Sequence, residues 1–245
     1  MKAADVVRHV TTPLTNPAFP PMVPRFTNRE YLNILYRTDP QALRAVVPEP
    51  LEIDEPLVRF EVMKMGGVTG YGPYTEAGQA IPVRFGAERG EYLHAMHLDS
   101  FMATASGREV SGYPKTVGAP QLTVDQGALV GTLDYGSIRV ATATMGYQQE
   151  QLDLDEAREQ ICVPTYLLKI IPSYDGTPRV CELVRTRITD IEVKQAWTGP
   201  ARLQLFAHVL APLADLPVLE IVSASHILTD LTLAPVTPVH DYLAA

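Results

Sequence analysis

The chain has 245 residues, of which 46% are hydrophobic and 20% charged, with a formal net charge of −8 at pH 7. That is the balance of an ordinary globular protein with enough chain to bury a core. The acidic charge is spread out and no basic stripe is visible, which speaks against nucleic acid as a partner, and no apolar run reaches the roughly 18 residues of a membrane span.

The N-terminal stretch MKAADVVRHVTTPLT carries Asp5 and no continuous apolar segment, so it does not read as a signal peptide, and a cytoplasmic location is expected. In that compartment Cys162 and Cys181 are expected as reduced thiols. Residues 1–25, with Pro13, Pro17, Pro20, Pro21 and Pro24, read as an extended arm that straps its own domain or packs on a neighbouring subunit. Asp39-Pro40 is a helix start, followed by Ala42, Leu43, Val46 and Val47 at helical spacing and stopped by Pro48 and Pro50. In 57–65 Val58, Phe60 and Val62 alternate with Arg59 and Glu61, the pattern of a half-buried strand, and 91–98 is similar. The glycine-rich 66–72 is followed by Pro73 and lacks a Gly-Lys-Ser/Thr, so it reads as a loop or hairpin and not as a phosphate cradle. Residues 129–147 predict two strands joined at 134–137, and 152–161 predicts a helix with acids in its first turn. Further strands are expected at 165–171, 179–194, 201–208 and 218–233, with a turn at 173–178. Without a repeat or a linker, the sequence predicts a single, mainly β domain with a few helices spanning 1–245.

No Gly-x-Ser-x-Gly elbow and no dinucleotide fingerprint is present. His94 and His97 lie three apart on an expected strand and so face opposite ways, which is poor for a shared metal. No metal and no organic cofactor are therefore expected. Lysine usage is more informative: there are five lysines against fifteen arginines, and Lys115 is the only charged residue between Glu109 and Asp125. A lysine in such surroundings is a candidate for desolvation, which disfavours its ammonium form and exposes a nucleophilic amine. The competing reading is a surface lysine whose head reaches water.

The stretches PLTNPAFP, NREYLNILYRTDPQALRAVVPEP, YTEAGQAIPV, GREVSGYPK, RVATATMGY and QAWTGP lie in collinear order, and through them the chain, from about residue 5 to Leu243, resembles the acetoacetate decarboxylase family. The resemblance implies a cone-like β-barrel, a large homo-oligomer, no cofactor, and a β-keto acid decarboxylated through a lysine Schiff base. It assigns the Schiff-base lysine to Lys115 in Gly-Tyr-Pro-Lys and the substrate-binding arginine to Arg29 in Asn-Arg-Glu-Tyr. The two active-site carboxylates fall on Glu61 in Arg-Phe-Glu and Glu76 in Tyr-Thr-Glu. Glu76 is expected to orient Arg29 or the substrate, and Glu61 to relay protons. One departure stands out: Thr116 occupies the place of the family's second lysine. The family's nucleophile is activated by desolvation or by a neighbouring cation. In an extended segment residues 115 and 116 point to opposite faces, so desolvation is expected to carry the effect here. Two other activities fit the same residues: aldol addition or dehydration of oxo acids through Lys115, and non-catalytic binding of small carbonyl compounds by the barrel.

Overall fold

Two expected helices form where their caps lie. The structure, a computed structural model, describes residues 1–244. After a single turn, α1 (Ala3–Val6), helix α2 (Pro40–Val46) starts on Asp39, whose Oδ1 accepts from the amides of Gln41 at 3.0 Å and Ala42 at 2.8 Å. Two further helices are α3 (Phe101–Ser106) and α4 (Leu154–Ile161), the latter capped by Asp153. Each such cap is worth about 1 kcal/mol.

The rest of the fold is strand. The large sheet contains β1 (Arg25–Arg37), β2 (Leu57–Val68), β3 (Tyr74–Phe85), β4 (Glu88–Leu98) and the short β5 (Lys115–Val117). A small sheet follows, built from β6 (Ala119–Asp125), β7 (Ala128–Tyr135) and β8 (Ile138–Gly146), which β13 (Ala201–Leu205) later joins. The large sheet is completed by β9 (Glu150–Gln151), β10 (Thr165–Pro172), β11 (Pro178–Thr186), β12 (Ile188–Thr198), β14 (Glu220–Leu233) and β15 (Thr237–Asp241). Its order is β15-β11-β10-β4-β3-β2-β1-β14-β12-β9, with β5 added in parallel beside β4.

The expected strand 179–194 is two strands. They part at Arg187, and β11 and β12 sit towards opposite ends of the sheet. A one-residue link between distant positions forces the sheet to curl. The seam is tied by Thr186 Oγ1 donating to the Ala234 carbonyl at 2.6 Å and the Ala234 amide donating to the Arg187 carbonyl at 3.0 Å. The mainly-β class with a few helices holds. The curled sheet stays open, since its terminal strands β15 and β9 do not pair, and so it is not a closed barrel.

Each strand at the centre of the large sheet is buried on both sides. One face packs on the small sheet: Leu32, Ile34, Phe60, Val62 and Ile81 meet Leu122, Leu129, Leu133 and Met145. Contact is so close at Gly131 that an added Cβ would lie 2.8 Å from Val62 Cγ2. The opposite face carries Tyr31, Met63, Met65, Tyr74, Leu93 and Met96 and is covered by Ala103 of α3, Ala157 and Ile161 of α4 and the curl of the sheet itself. Two irregularities re-aim side chains on this second face, the usual use of a bulge. Between Gln79/Ala95 and Ala80/Leu93 the ladder slips at His94, so Leu93 and Met96 share a face although three residues apart. Between Phe26 and Arg29 the pairing with β14 breaks at Asn28, whose φ is +50°, a left-handed conformation that asparagine tolerates. Asn28 is fixed there by its amide donating to Asp230 at 2.7 Å and by Lys194 donating to its side-chain oxygen at 2.9 Å.

Candidate active site

Among the described residues, five Lys, Arg, Asp or Glu side chains are buried: Arg29, Glu61, Glu76, Glu91 and Lys115. All five line one chamber of about 50 Å³ on the face turned away from the small sheet. Isolated buried charge is expensive, so such a concentration has to be paired or put to use.

Lys115 enters from β5. The chain reaches it through α3 and a π-helical turn at Gly107–Ser111, leaves that turn at Gly112 with φ +86°, and passes Tyr113 and Pro114. A Cβ on Gly107 would lie 2.6 Å from Lys115 Cδ, so the missing side chain makes the channel for the lysine stem. The segment is pinned by Arg108 donating to the Lys115 carbonyl at 3.1 Å and by Lys169 donating to the Val110 carbonyl at 2.7 Å. Lys115 is 7% exposed. Its Nζ lies 5.1 Å from the centroid of the Tyr113 ring and 5.7 Å from that of Tyr74.

The uncharged run around Lys115 does not describe what its amine meets. Glu76, delivered by β3, places Oε2 3.1 Å from Lys115 Nζ. Its other oxygen, Oε1, lies 3.8 Å from Arg29. Glu76 therefore bridges amine and guanidinium, with Oε2 near the amine but outside hydrogen-bond alignment. Arg29 lies over the Tyr31 ring, 4.8 Å from its centroid, donates to Met63 Sδ at 2.8 Å, and its Nε has no hydrogen-bond partner among the described residues. Burial pulls the Arg29 pKa down, but Tyr31 and Glu76 outweigh it and leave the guanidinium firmly protonated. The Tyr31 hydroxyl, also unpartnered, is pushed up to about 12 by burial, against the opposing effect of Arg29. The phenols of Tyr74 and Tyr113 are raised by burial as well, so all three rings stay neutral.

The structure brings Lys115, Arg29, Glu61 and Glu76 together in one lining, as four candidates for one pocket. Glu61 is held differently from Glu76: Arg59 donates to it at 3.3 Å and also pairs with Glu91. The alternation in 57–65 suggested Arg59 and Glu61 on a solvent face, whereas that face looks into the chamber. Arg59 and Glu91 are members the sequence reading missed. Their signal lies in phase: Glu61 shares its strand face with Met63 and Met65, and Glu91 shares its with Leu93, so these charges sit in apolar rows. Burial, reinforced by repulsion from Glu61 and opposed by Arg59, holds the Glu91 carboxyl up at about 7. Thr116 lies opposite His97 of β4, while Lys115 lies opposite Met96 on the chamber face.

A second cavity, about 210 Å³, opens from the chamber and shares Phe26, Tyr74, Tyr113, Lys115 and Leu233 with it. Its walls are largely apolar, and the arm contributes Phe19, Pro20, Met22 and Pro24 to them. The arm thus straps its own domain across the approach to Lys115. Among the described residues no group of three or more His, Cys, Asp or Glu could hold a metal ion, and no helix is long and apolar enough to cross a membrane.

Residues 11–243 match the family model described as acetoacetate decarboxylase (ADC). The chain belongs to the acetoacetate decarboxylase family. It is 64% identical over 244 residues to a protein of Streptomyces nogalater named acetoacetate decarboxylase, covering 100% of both chains. It is 62% identical over 239 residues to the protein of that name from Clostridium acetobutylicum, covering 98% of each. A solved structure described as structural studies of acetoacetate decarboxylase superposes with a TM-score of 0.98 at 61% identity, covering 99% of this chain and 100% of that one.

Proposed function

We propose that this family member decarboxylates acetoacetate to acetone and carbon dioxide through a Schiff base on Lys115. The observation that carries the reading is the placement of Lys115 Nζ, 3.1 Å from Glu76 at the junction of a charged chamber with an apolar entrance.

Attack needs the free amine. Glu76 is close enough to take a proton from Nζ, leaving a neutral nucleophile beside a protonated acid. Nζ adds to the ketone carbon, and loss of water gives an iminium whose positive charge Glu76, ionised again, stabilises. Arg29, whose Nε–H has no hydrogen-bond partner among the described residues, attracts the substrate carboxylate. The iminium then accepts the electron pair released as the carbon–carboxylate bond breaks. This step converts a cation and an anion into a neutral enamine and carbon dioxide, so a chamber poor in water favours it. Protonation at carbon and hydrolysis return acetone and the lysine.

Glu61, tethered to Arg59, serves proton transfer in these later steps. The chain works as one domain over 1–245, without metal or organic cofactor, in the cytoplasm and as a large homo-oligomer. Exposed apolar arm residues Val6, Val7, Val10, Met22 and Val23 support the assembly.

Borohydride reduction in the presence of acetoacetate, followed by peptide mass analysis, tests the reading. An isopropyl adduct on the Lys115 peptide, with carbon dioxide release before reduction, is the expected result. Release of carbon dioxide without any lysine adduct would overturn the Schiff base. An adduct without release would indicate aldol or dehydration chemistry instead.

A further inference from the structure

The chamber has a second side. Arg59 and Glu91 line it, and both also line a separate cleft of about 330 Å³ formed with Asn33, Gly90, Gln160 and Ser223. Among the described residues they are the two ionisable side chains common to both cavities. Arg59 is tied to the end of α4 by donating to the Gln160 carbonyl at 3.2 Å, and it holds Glu61 on one side and Glu91 on the other. Two carboxylates and the guanidinium that pairs with both thus connect the cleft with the Lys115 chamber, and none of the three lines the apolar entrance.

The chemistry gives that line a task. Acetoacetate enters as an anion, and acetone and carbon dioxide leave neutral, so every turnover consumes one proton from solvent. The entrance strapped by the arm is largely apolar and offers little to carry it. We infer that Glu91 is a proton-relay residue: it takes a proton from water in the cleft and passes it by way of Glu61 to the carbon of the enamine. One carbon–hydrogen bond forms, the enamine becomes an iminium, and water then hydrolyses the iminium to acetone and the amine. The inference rests on the decarboxylase reading above.

The groups facing Glu91 suit a carboxyl that gains and loses protons. Arg59 and Glu61 face it from β2, Arg29 from β1 and Tyr113 from the segment before β5, while Glu159 of α4 lines the cleft. Two acids sharing Arg59 cannot both remain ionised cheaply, and burial adds to that cost. With its carboxyl held up at about 7, Glu91 is protonated below neutrality and ionised above it. The sign follows: protonation of the enamine should slow as pH rises through that range.

The test compares wild type with Glu91→Gln, an isosteric change that keeps an acceptor for Arg59. Acetone in D2O exchanges its methyl hydrogens through the same enamine, and NMR follows the exchange without decarboxylation. Exchange and kcat should fall together by about 10-fold or more, while borohydride trapping of Lys115 stays near wild type, and the decline of rate above neutral pH should disappear. Unchanged exchange with an unchanged pH profile would overturn the inference. Ser223→Trp plugs the exposed cleft without entering the chamber and guards against misfolding of the first variant. It should slow exchange likewise, and full exchange in that variant would also overturn the inference. Absence of carbon dioxide release and exchange in wild type would instead refute the decarboxylase reading itself.

Discussion

Strand β3 presents Gln79 towards the small sheet and Glu76 towards the chamber, and the two side chains live under different rules. Gln79 Nε2 donates to the Tyr36 hydroxyl and to the Leu213 carbonyl, each at 2.9 Å, and Tyr36 donates onward to the Leu216 carbonyl at 3.2 Å. This network is neutral and lies in an apolar core, where it fixes how the Leu213–Leu216 segment packs. Glu76, three residues earlier in the strand, is ionisable and sits between a lysine and an arginine. The same sheet thus gains stability from one face and holds unspent charge on the other. Folding would favour an apolar chamber, since replacing buried ion pairs by well-packed apolar groups is often neutral or stabilising. Groups kept at that cost are the ones to remove when testing function.

The sharpest break in the comparison is Lys115→Arg. Arginine keeps the positive charge but stays protonated, so no imine can form. Decarboxylation should vanish while circular dichroism and Tm remain close to wild type. Activity above a trace in the purified variant would remove Lys115 from the chemistry.

Next come paired substitutions on the two faces. Arg29→Gln and Glu76→Gln should each cut kcat/KM by about 10²-fold or more with little loss of Tm. Tyr36→Phe deletes the hydroxyl that Gln79 and Leu216 share, and it should cost about 1–3 kcal/mol of stability with activity per folded molecule unchanged. Thermal unfolding beside steady-state rates decides the matter. A Tyr36→Phe enzyme as stable as wild type but slow, or a Glu76→Gln enzyme unstable but fast per folded molecule, would reverse the assignment of the two faces.

The division between faces also explains what the sequence disclosed. Helices α2 and α4 were legible because Asp39-Pro40 and Asp153 are local signals with a local mechanism. Strands β7 and β8 were legible from alternation and the intervening turn. Strand β3, by contrast, contains Gly78 and Pro82 and is buried on both sides, so alternation is lost. The break at Arg187 was hidden because β11 and β12 read as one continuous strand, and only the curl of the sheet separates them. In the site, Lys115 stood out by the neutrality of its own segment, but Glu76, Arg29 and Glu61 came from resemblance. No local pattern reports that residues as far apart in sequence as Arg29 and Lys115 deliver their charges to one point. Arg59 and Glu91 escaped because alternation makes a charged residue look solvent-facing, a rule that fails when both faces of a strand are covered.

The smallest effect is expected at Thr116, the position at which the family resemblance implies a second lysine. Lys115 pairs with Met96 on the chamber face, while Thr116 pairs with His97, so consecutive side chains of β5 point to opposite sides of the sheet. A lysine at 116 would carry its ammonium away from the chamber. Two charges about 10 Å apart interact by about 0.4–1.7 kcal/mol for an effective dielectric between 80 and 20, equivalent to roughly 0.3–1.2 pH units, and salt reduces this further. Thr116→Lys should therefore move the pH dependence of Lys115 acylation by a small phenyl ester by about one unit or less. The Tyr74 and Tyr113 rings and Glu76, which lie around the amine, are not altered by the substitution. A displacement of several units would mean that the added ammonium reaches the chamber after all. Activation by a neighbouring cation would then dominate over burial, and the face assigned to residue 116 would be wrong.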